Sequence, residues 1–331
     1  TATLPGGLGS PVRGQRLGAI LIPIAILGTH WAAGAYRLSG VQTDADSGLG
    51  IRLVQANIPQ REKWALRYRA RNIAAHLRLS VENRPPWIQH VIWPEMAATL
   101  YLERDAKSRE VLSRVVPPGG LLVTGAPRRN PEGGAYNAIL ALDETGRISG
   151  HYDKAHLVPF GEYVPLASVL PLEKITLGAS GYTPGPGVRT LRLPGLPPVS
   201  LLVCYEIIFP AKVVDASDRP EVIINLTNDA WYGVTSGPHQ HFANARLRAV
   251  EEGIPVVRAA YNGISGVVDS YGQVRGVIPL AEAGYLDFRL PRPLQHPSLY
   301  SRLGDSIFFG ALVVLVLAAA GIRRHGSTRS A

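Results

Sequence analysis

The chain has 331 residues, 46% hydrophobic and 18% charged, which is enough apolar material for a large core and excludes a disordered protein. Its net charge is +9, but the excess gathers at the ends: Arg13 and Arg16 precede the first long apolar stretch, and Arg323, Arg324 and Arg329 follow the last. Without a basic motif interleaved with aromatics, that placement points to an anionic membrane surface and not to a nucleic-acid partner.

Leu17 to Tyr36 is charge-free over twenty residues, about long enough to cross a bilayer despite Pro23 and His30. The same stretch reads alternatively as a signal peptide, with Ala33-Gly34-Ala35 resembling a cleavage site; either way the following domain crosses the membrane. A Gly/Ser/Asp-rich linker is expected over 37–50. Ile51 to Ile58 reads as a first strand, and Leu66, Ala70, Ile73, Leu77 and Val81 mark one face of a helix that Pro85-Pro86 ends. Ile88 to Trp93 is a buried strand, Arg104 to Val115 a polar helix, and Leu121 to Ala126 another strand.

Tyr136 to Leu142 and Arg147 to Lys154 flank Asp143-Glu144-Thr145-Gly146, a hairpin signal. Val199 to Tyr205 and Val222 to Leu226 are buried strands. His239 to Glu252 reads as a helix closed by Gly253 and Pro255. Ile254 to Ala260 and Ile264 to Asp269 are strands, with one more after the Tyr271-Gly272-Gln273 turn. Ser306 to Ile322 is an uncharged run of seventeen residues with arginines behind it, a second candidate span. A mixed-sheet α/β domain over 51–290 follows, preceded by a basic segment, span and linker (1–50) and followed by a connector, span and basic tail (291–331). By the positive-inside tendency the middle is extracytoplasmic.

Cys204 is the only cysteine, so it forms no internal disulfide and is either core filler or a nucleophile. It stands at the end of an apolar run, as Glu95 and Lys154 stand at the ends of others. A thiol with a reference pKa of about 8.5 needs a base or a positive neighbour to attack a carbonyl. Glu95 has the chemistry to take its proton and Lys154 to steady the oxyanion. Each also has a plain structural reading: packing for the cysteine, a helix N-terminal acid for Glu95, solvated charges for Lys154 and Glu162. Along a strand, alternation would put Cys204 and Glu206 on one side and Tyr205 on the other. His239 and His241, two apart on a helix, face away from each other, and no phosphate-cradling loop is evident, so no metal and no cofactor are expected.

Trp93-Pro94-Glu95, Tyr152-Asp153-Lys154 with Leu157-Val158-Pro159-Phe160-Gly161-Glu162, and Val203-Cys204-Tyr205-Glu206 are similar to the nitrilase (carbon–nitrogen hydrolase) superfamily. Longer strings resemble its apolipoprotein N-acyltransferase family: His156 to Pro165, Thr227-Asn228-Asp229-Ala230-Trp231-Tyr232-Gly233, Gly237 to Glu251, and Tyr300 to Asp305 ahead of the last apolar run. The resemblance implies a four-layer α-β-β-α sandwich facing the periplasm from a multi-pass position in the bacterial inner membrane. It also implies a ping-pong reaction: Cys204 takes an acyl chain from a phospholipid, commonly phosphatidylethanolamine, and passes it to the α-amine of a diacylated apolipoprotein.

Glu95 would be the base and acid, Lys154 the oxyanion partner, and Glu162 the residue that orients the lysine. Tyr205, Glu206, Trp64 and Asn137 are further site candidates. Members of the family carry several helices ahead of the catalytic domain where one candidate stands here, so the chain reads as a fragment or a reduced relative. The alternatives are a membrane-tethered amidase and an inactive binding remnant.

Overall fold

The structure is a computed structural model that describes residues 13–39, 46–163 and 181–327, with the backbone alone at 13–19 and 321–327. Val164 and Pro165, linker residues 40–45, Arg329 and the side chains of the other terminal arginines lie outside the described residues.

Twelve strands, β1 (Asp46–Gln55), β2 (Ile88–Ile92), β3 (Leu121–Arg129), β4 (Ala135–Asp143), β5 (Ile148–Asp153), β6 (Thr190–Leu191), β7 (Val199–Val203), β8 (Val222–Thr227), β9 (Val256–Ala260), β10 (Ser265–Val268), β11 (Val274–Ile278) and β12 (Gly284–Pro291), form two sheets. One runs β12-β1-β2-β3-β4-β5 and the other β11-β10-β9-β8-β7-β6. Each has a parallel centre, β1-β2-β3 or β7-β8-β9, with antiparallel strands outside it. The helices are α1 (Arg13–Ser39), α2 (Gln60–Lys63), α3 (Arg69–Val81), α4 (Ala106–Ser113), α5 (Ser236–Glu252), α6 (Leu299–Leu303) and α7 (Ser306–Ser327).

Strand alternation sorts the side chains into layers. Ile51, Leu53, Ile92 and Val123 face Leu201, Val203, Ile224 and Leu226 between the sheets. On the outer face of the first sheet, Val91, Trp93 and Leu122 pack with Leu79 of α3 and Leu112 of α4. On the outer face of the second, Leu202, Ile223 and Val256 meet Phe242, Ala245 and Ala249 of α5. This is the expected α-β-β-α sandwich.

Three expectations change. Strand β1 begins at Asp46, inside the expected linker. The buried face of α3 is Asn72, His76, Leu79 and Ser80, while Leu66 and Val81 are exposed. Polar side chains are tolerated there because they are bonded: Asn72 donates to the Glu62 carbonyl at 3.0 Å, and the Trp93 indole donates to Ser80 Oγ at 2.7 Å. The third is β12, an unexpected strand that pairs antiparallel with β1. Its Asp287 makes a bidentate pair, 2.7 Å on each arm, with the fully buried Arg52, whose guanidinium also caps the Leu79 and Glu82 carbonyls at the end of α3.

The contact pattern divides the chain into two compact units, Thr1–Ala45 and Asp46–Ala331. The described part of the first is α1, which covers the predicted span at 17–36; α7, in the second, covers the one at 306–322. The large apolar side chains described on both, from Ile20 to Leu27 and from Phe308 to Leu317, are exposed. Among the described residues, no helix is long and apolar enough to cross a membrane. The two predicted spans therefore stand as helices here.

Candidate active site

The parallel strands of the two sheets end on one side of the sandwich, and the loops after them meet there, the usual place for a site in such sheets. Strand β7 stops at Val203, and Cys204 turns the chain with φ of +52° into a 3-10 turn over Cys204–Ile208. A non-glycine residue in the left-handed region is held there at a cost of about 1–3 kcal/mol, and such strain clusters at reactive sites. The turn also overrides strand alternation. Cys204 and Tyr205 both line one cavity of about 430 Å³, while Glu206 does not.

Glu206 is buried and spends its carboxylate on structure. Oε1 accepts from the Tyr152 hydroxyl (2.8 Å) and the Ala155 (2.8 Å) and His156 (3.0 Å) amides, and Oε2 from the Val203 amide (2.7 Å). It thus ties the cysteine turn to the loop carrying Lys154. Tyr205 is the second residue of the 3-10 turn, so its N–H has no acceptor within that turn.

Glu95 follows β2 and is buried. Its Oε1 accepts from Asn137 Nδ2 at 2.7 Å, and Oε2 is a buried oxygen without a partner among the described residues. Asn137 Nδ2 also donates to Glu162 Oε1 at 2.8 Å, so one amide spaces the two carboxylates. Glu162 Oε2 accepts from Lys154 Nζ at 2.7 Å and from the Val158 amide at 2.8 Å. Lys154 is 1% exposed. Burial works against its charge, but Glu162, Cys204 and Glu95 outweigh burial and hold the ammonium above the ordinary lysine range.

Burial, reinforced by Glu95, pushes the Cys204 thiol up to about 12 against the opposing pull of Lys154. The resting sulfur is therefore a thiol, and attack requires that its proton leave as the new bond forms.

All the predicted site residues except Glu206 line this cavity: Glu95, Lys154, Cys204, Glu162, Asn137, Trp64 and Tyr205. Phe160, Trp231 and Tyr232, each partly exposed, also line it, which makes a broad apolar rim. One charged residue of the lining also went unforeseen. Lys63, at the end of α2, donates to the Glu95 carbonyl at 3.1 Å, sits 4.0 Å above the Tyr261 ring, and is lowered by burial to about 8. In the sequence, Gln60-Arg61-Glu62-Lys63 looks like a solvated turn, and nothing distinguishes its last charge.

The chain matches the carbon–nitrogen hydrolase family over residues 50–309 and belongs to it. It is similar to the proteins named apolipoprotein N-acyltransferase of Rhodopseudomonas palustris (36% identical over 91% of this chain and 59% of that protein), Bradyrhizobium diazoefficiens (36%, 93% and 59%) and Rickettsia prowazekii (37%, 86% and 58%). The chain thus spans about three fifths of the length of these relatives. Among solved structures, an amidase of the nitrilase superfamily from Nesterenkonia superposes with a TM-score of 0.53 at 22% identity, covering 76% of this chain and 94% of its own. A carbon–nitrogen hydrolase from Helicobacter pylori gives 0.54 at 16%, covering 72% and 88%. At these identities the two structures speak to the fold.

Proposed function

We propose that this chain is the catalytic part of an N-acyltransferase that moves a fatty acyl group from a phospholipid, through a thioester on Cys204, to the terminal amine of a diacylated apolipoprotein. One observation carries the reading: a strained, buried thiol shares a cavity with a carboxylate that has a free oxygen and with an ammonium held charged. Similarity to proteins named for this activity supports the choice of acceptor.

In the first half-reaction Sγ attacks the ester carbonyl as Glu95 Oε2 takes the thiol proton. The oxyanion is met by Lys154 and by the Tyr205 N–H. Collapse breaks the ester C–O bond, and Glu95 returns the proton to the departing lysophospholipid oxygen, leaving the thioester. In the second, the neutral amine attacks the thioester carbonyl, Glu95 takes an N–H proton and gives it to Sγ, and the amide leaves with the thiol restored. Glu162 keeps Lys154 charged and aimed, and Asn137 keeps the two carboxylates apart. The apolar rim of Trp231, Tyr232 and Phe160 suits an acyl chain.

In this reading residues 51–290 form the catalytic domain on the periplasmic side of the bacterial inner membrane. The apolar helices α1 and α7 hold it beside its lipid-borne substrates, which confines all partners to one plane.

The test is to incubate the chain in vesicles of phosphatidylethanolamine with a synthetic diacylated lipopeptide and read the products by mass. Expected are an amide-linked triacylated peptide and one equivalent of lysophospholipid. Free fatty acid with unmodified peptide would instead mean that water is the acceptor and that the protein is a hydrolase.

A further inference from the structure

Behind Cys204, on the side away from the cavity, lies a fully buried web of polar side chains that the two half-reactions do not use. The Cys204 carbonyl accepts from Asn225 Nδ2 of β8 at 3.3 Å and from His241 Nε2 of α5 at 3.2 Å. Neither donor stands alone. Arg258 Nη1 of β9 donates to Asn225 Oδ1 at 2.6 Å, and Arg258 Nη2 donates to Asp229 Oδ2 at 2.8 Å. With Nε2 as the ring donor, His241 Nδ1 accepts from Arg258 Nη2 at 3.1 Å, and Asp229 Oδ1, which also accepts from Arg258 Nη2 at 3.1 Å, lies 2.9 Å from that ring nitrogen. Asn225, Asp229, His241 and Arg258 are all at most 4% exposed, and Gly263 is required beside them, since a Cβ there would sit 2.0 Å from Asp229 Oδ2. Ordering four polar side chains out of water is costly unless each is bonded, and here each is.

We infer that this web is a backbone clamp in which His241 and Asn225 are positioning residues for the nucleophile's own peptide. A trans peptide points its carbonyl and the following N–H in opposite directions. Two donors that pull the Cys204 carbonyl away from the cavity therefore turn the Tyr205 N–H into it. They also hold Cys204 at its left-handed φ and polarise the peptide, which strengthens the outward N–H as a donor. Asp229 opens the 3-10 turn that carries Trp231 and Tyr232 to the cavity rim, so the clamp joins the oxyanion donor to the lipid-facing mouth.

The inference rests on the thioester reading and is tested apart from it. His241→Gln keeps a side-chain donor, and His241→Met has a similar length and none. The full chain and both variants are compared for acylation of Cys204 by p-nitrophenyl butyrate, which generates an oxyanion, and for alkylation by iodoacetamide, which does not. The clamp predicts that His241→Met acylates about 10- to 100-fold more slowly, within the cost of one oxyanion donor, while alkylation changes less than about threefold. His241→Gln should stay within about fivefold of wild type in both. The carbonyl stretch of the ¹³C-labelled acyl-enzyme should rise in His241→Met.

Equal acylation by the Gln and Met variants, or a parallel loss of acylation and alkylation in the Met variant, would overturn the clamp. A wild-type thiol that is alkylated but never acylated would overturn the thioester reading and the clamp with it.

Discussion

At the level of single residues, the site sets the buried Lys63, Glu95 and Lys154 and the partly buried Glu162 around one thiol. Lys154 is bound to Glu162 at 2.7 Å, and in the proposed reaction it helps carry the oxyanion, so Lys154→Met should lower acylation of Cys204 by about 100- to 1000-fold. The variant should still fold, but less stably, because the partly buried Glu162 loses its cation while keeping the Asn137 and Val158 donors. Retained acylation in a folded Lys154→Met protein, read by intact mass, would rule out that role. Lys63 makes a prediction of opposite kind. Its native pKa is lowered from 10.5 to about 8, so below pH 8 the folded chain carries a desolvated charge. Between pH 8 and 10.5 the folded form loses that proton before the unfolded chain does, and the wild type gains stability from this group as pH rises. Lys63→Met lacks that gain. Its stability relative to wild type, from urea unfolding, should be more favourable at pH 7 than at pH 10, and a pH-independent difference would count against the buried ammonium.

At the level of elements, the site depends on how closely the loop after β2 lies on β3. A Cβ at Gly125 would stand 2.3 Å from the Met96 amide and 2.6 Å from Glu95 Cα. Gly125→Ala should therefore displace Glu95, lose about 1–3 kcal/mol of stability and cost at least tenfold in acylation. A melting temperature and rate equal to wild type would show that the loop yields freely. These strand ends were the most readable part of the chain, because apolar runs that stop at Glu95, Lys154 and Cys204 carry their own boundaries. The strand β12 was missed although Leu286, Phe288 and Leu290 alternate with polar neighbours, the signal that would have found it. The face of α3 was misplaced because its buried residues Asn72, His76 and Ser80 are polar, and hydropathy periodicity is blind to bonded polar groups. Alternation places Glu206 on the same side as Cys204 only if the strand runs on, but it has already turned at Cys204, and no sequence rule announces a left-handed cysteine.

At the level of the whole molecule, the proposal requires a catalytic sandwich that works at a lipid surface. The full chain should remain with phospholipid vesicles through an alkaline carbonate wash, held by α1 and α7; recovery in the aqueous phase would contradict membrane anchoring. The central claim is that Cys204 carries the acyl group between two substrates, and the direct measurement is the mass of the protein after incubation with phosphatidylethanolamine alone. The account predicts one acyl mass per chain, mapped to the Cys204 peptide, removed by neutral hydroxylamine and absent in Cys204→Ala. An adduct that survives hydroxylamine, maps to another residue or persists in Cys204→Ala would contradict it.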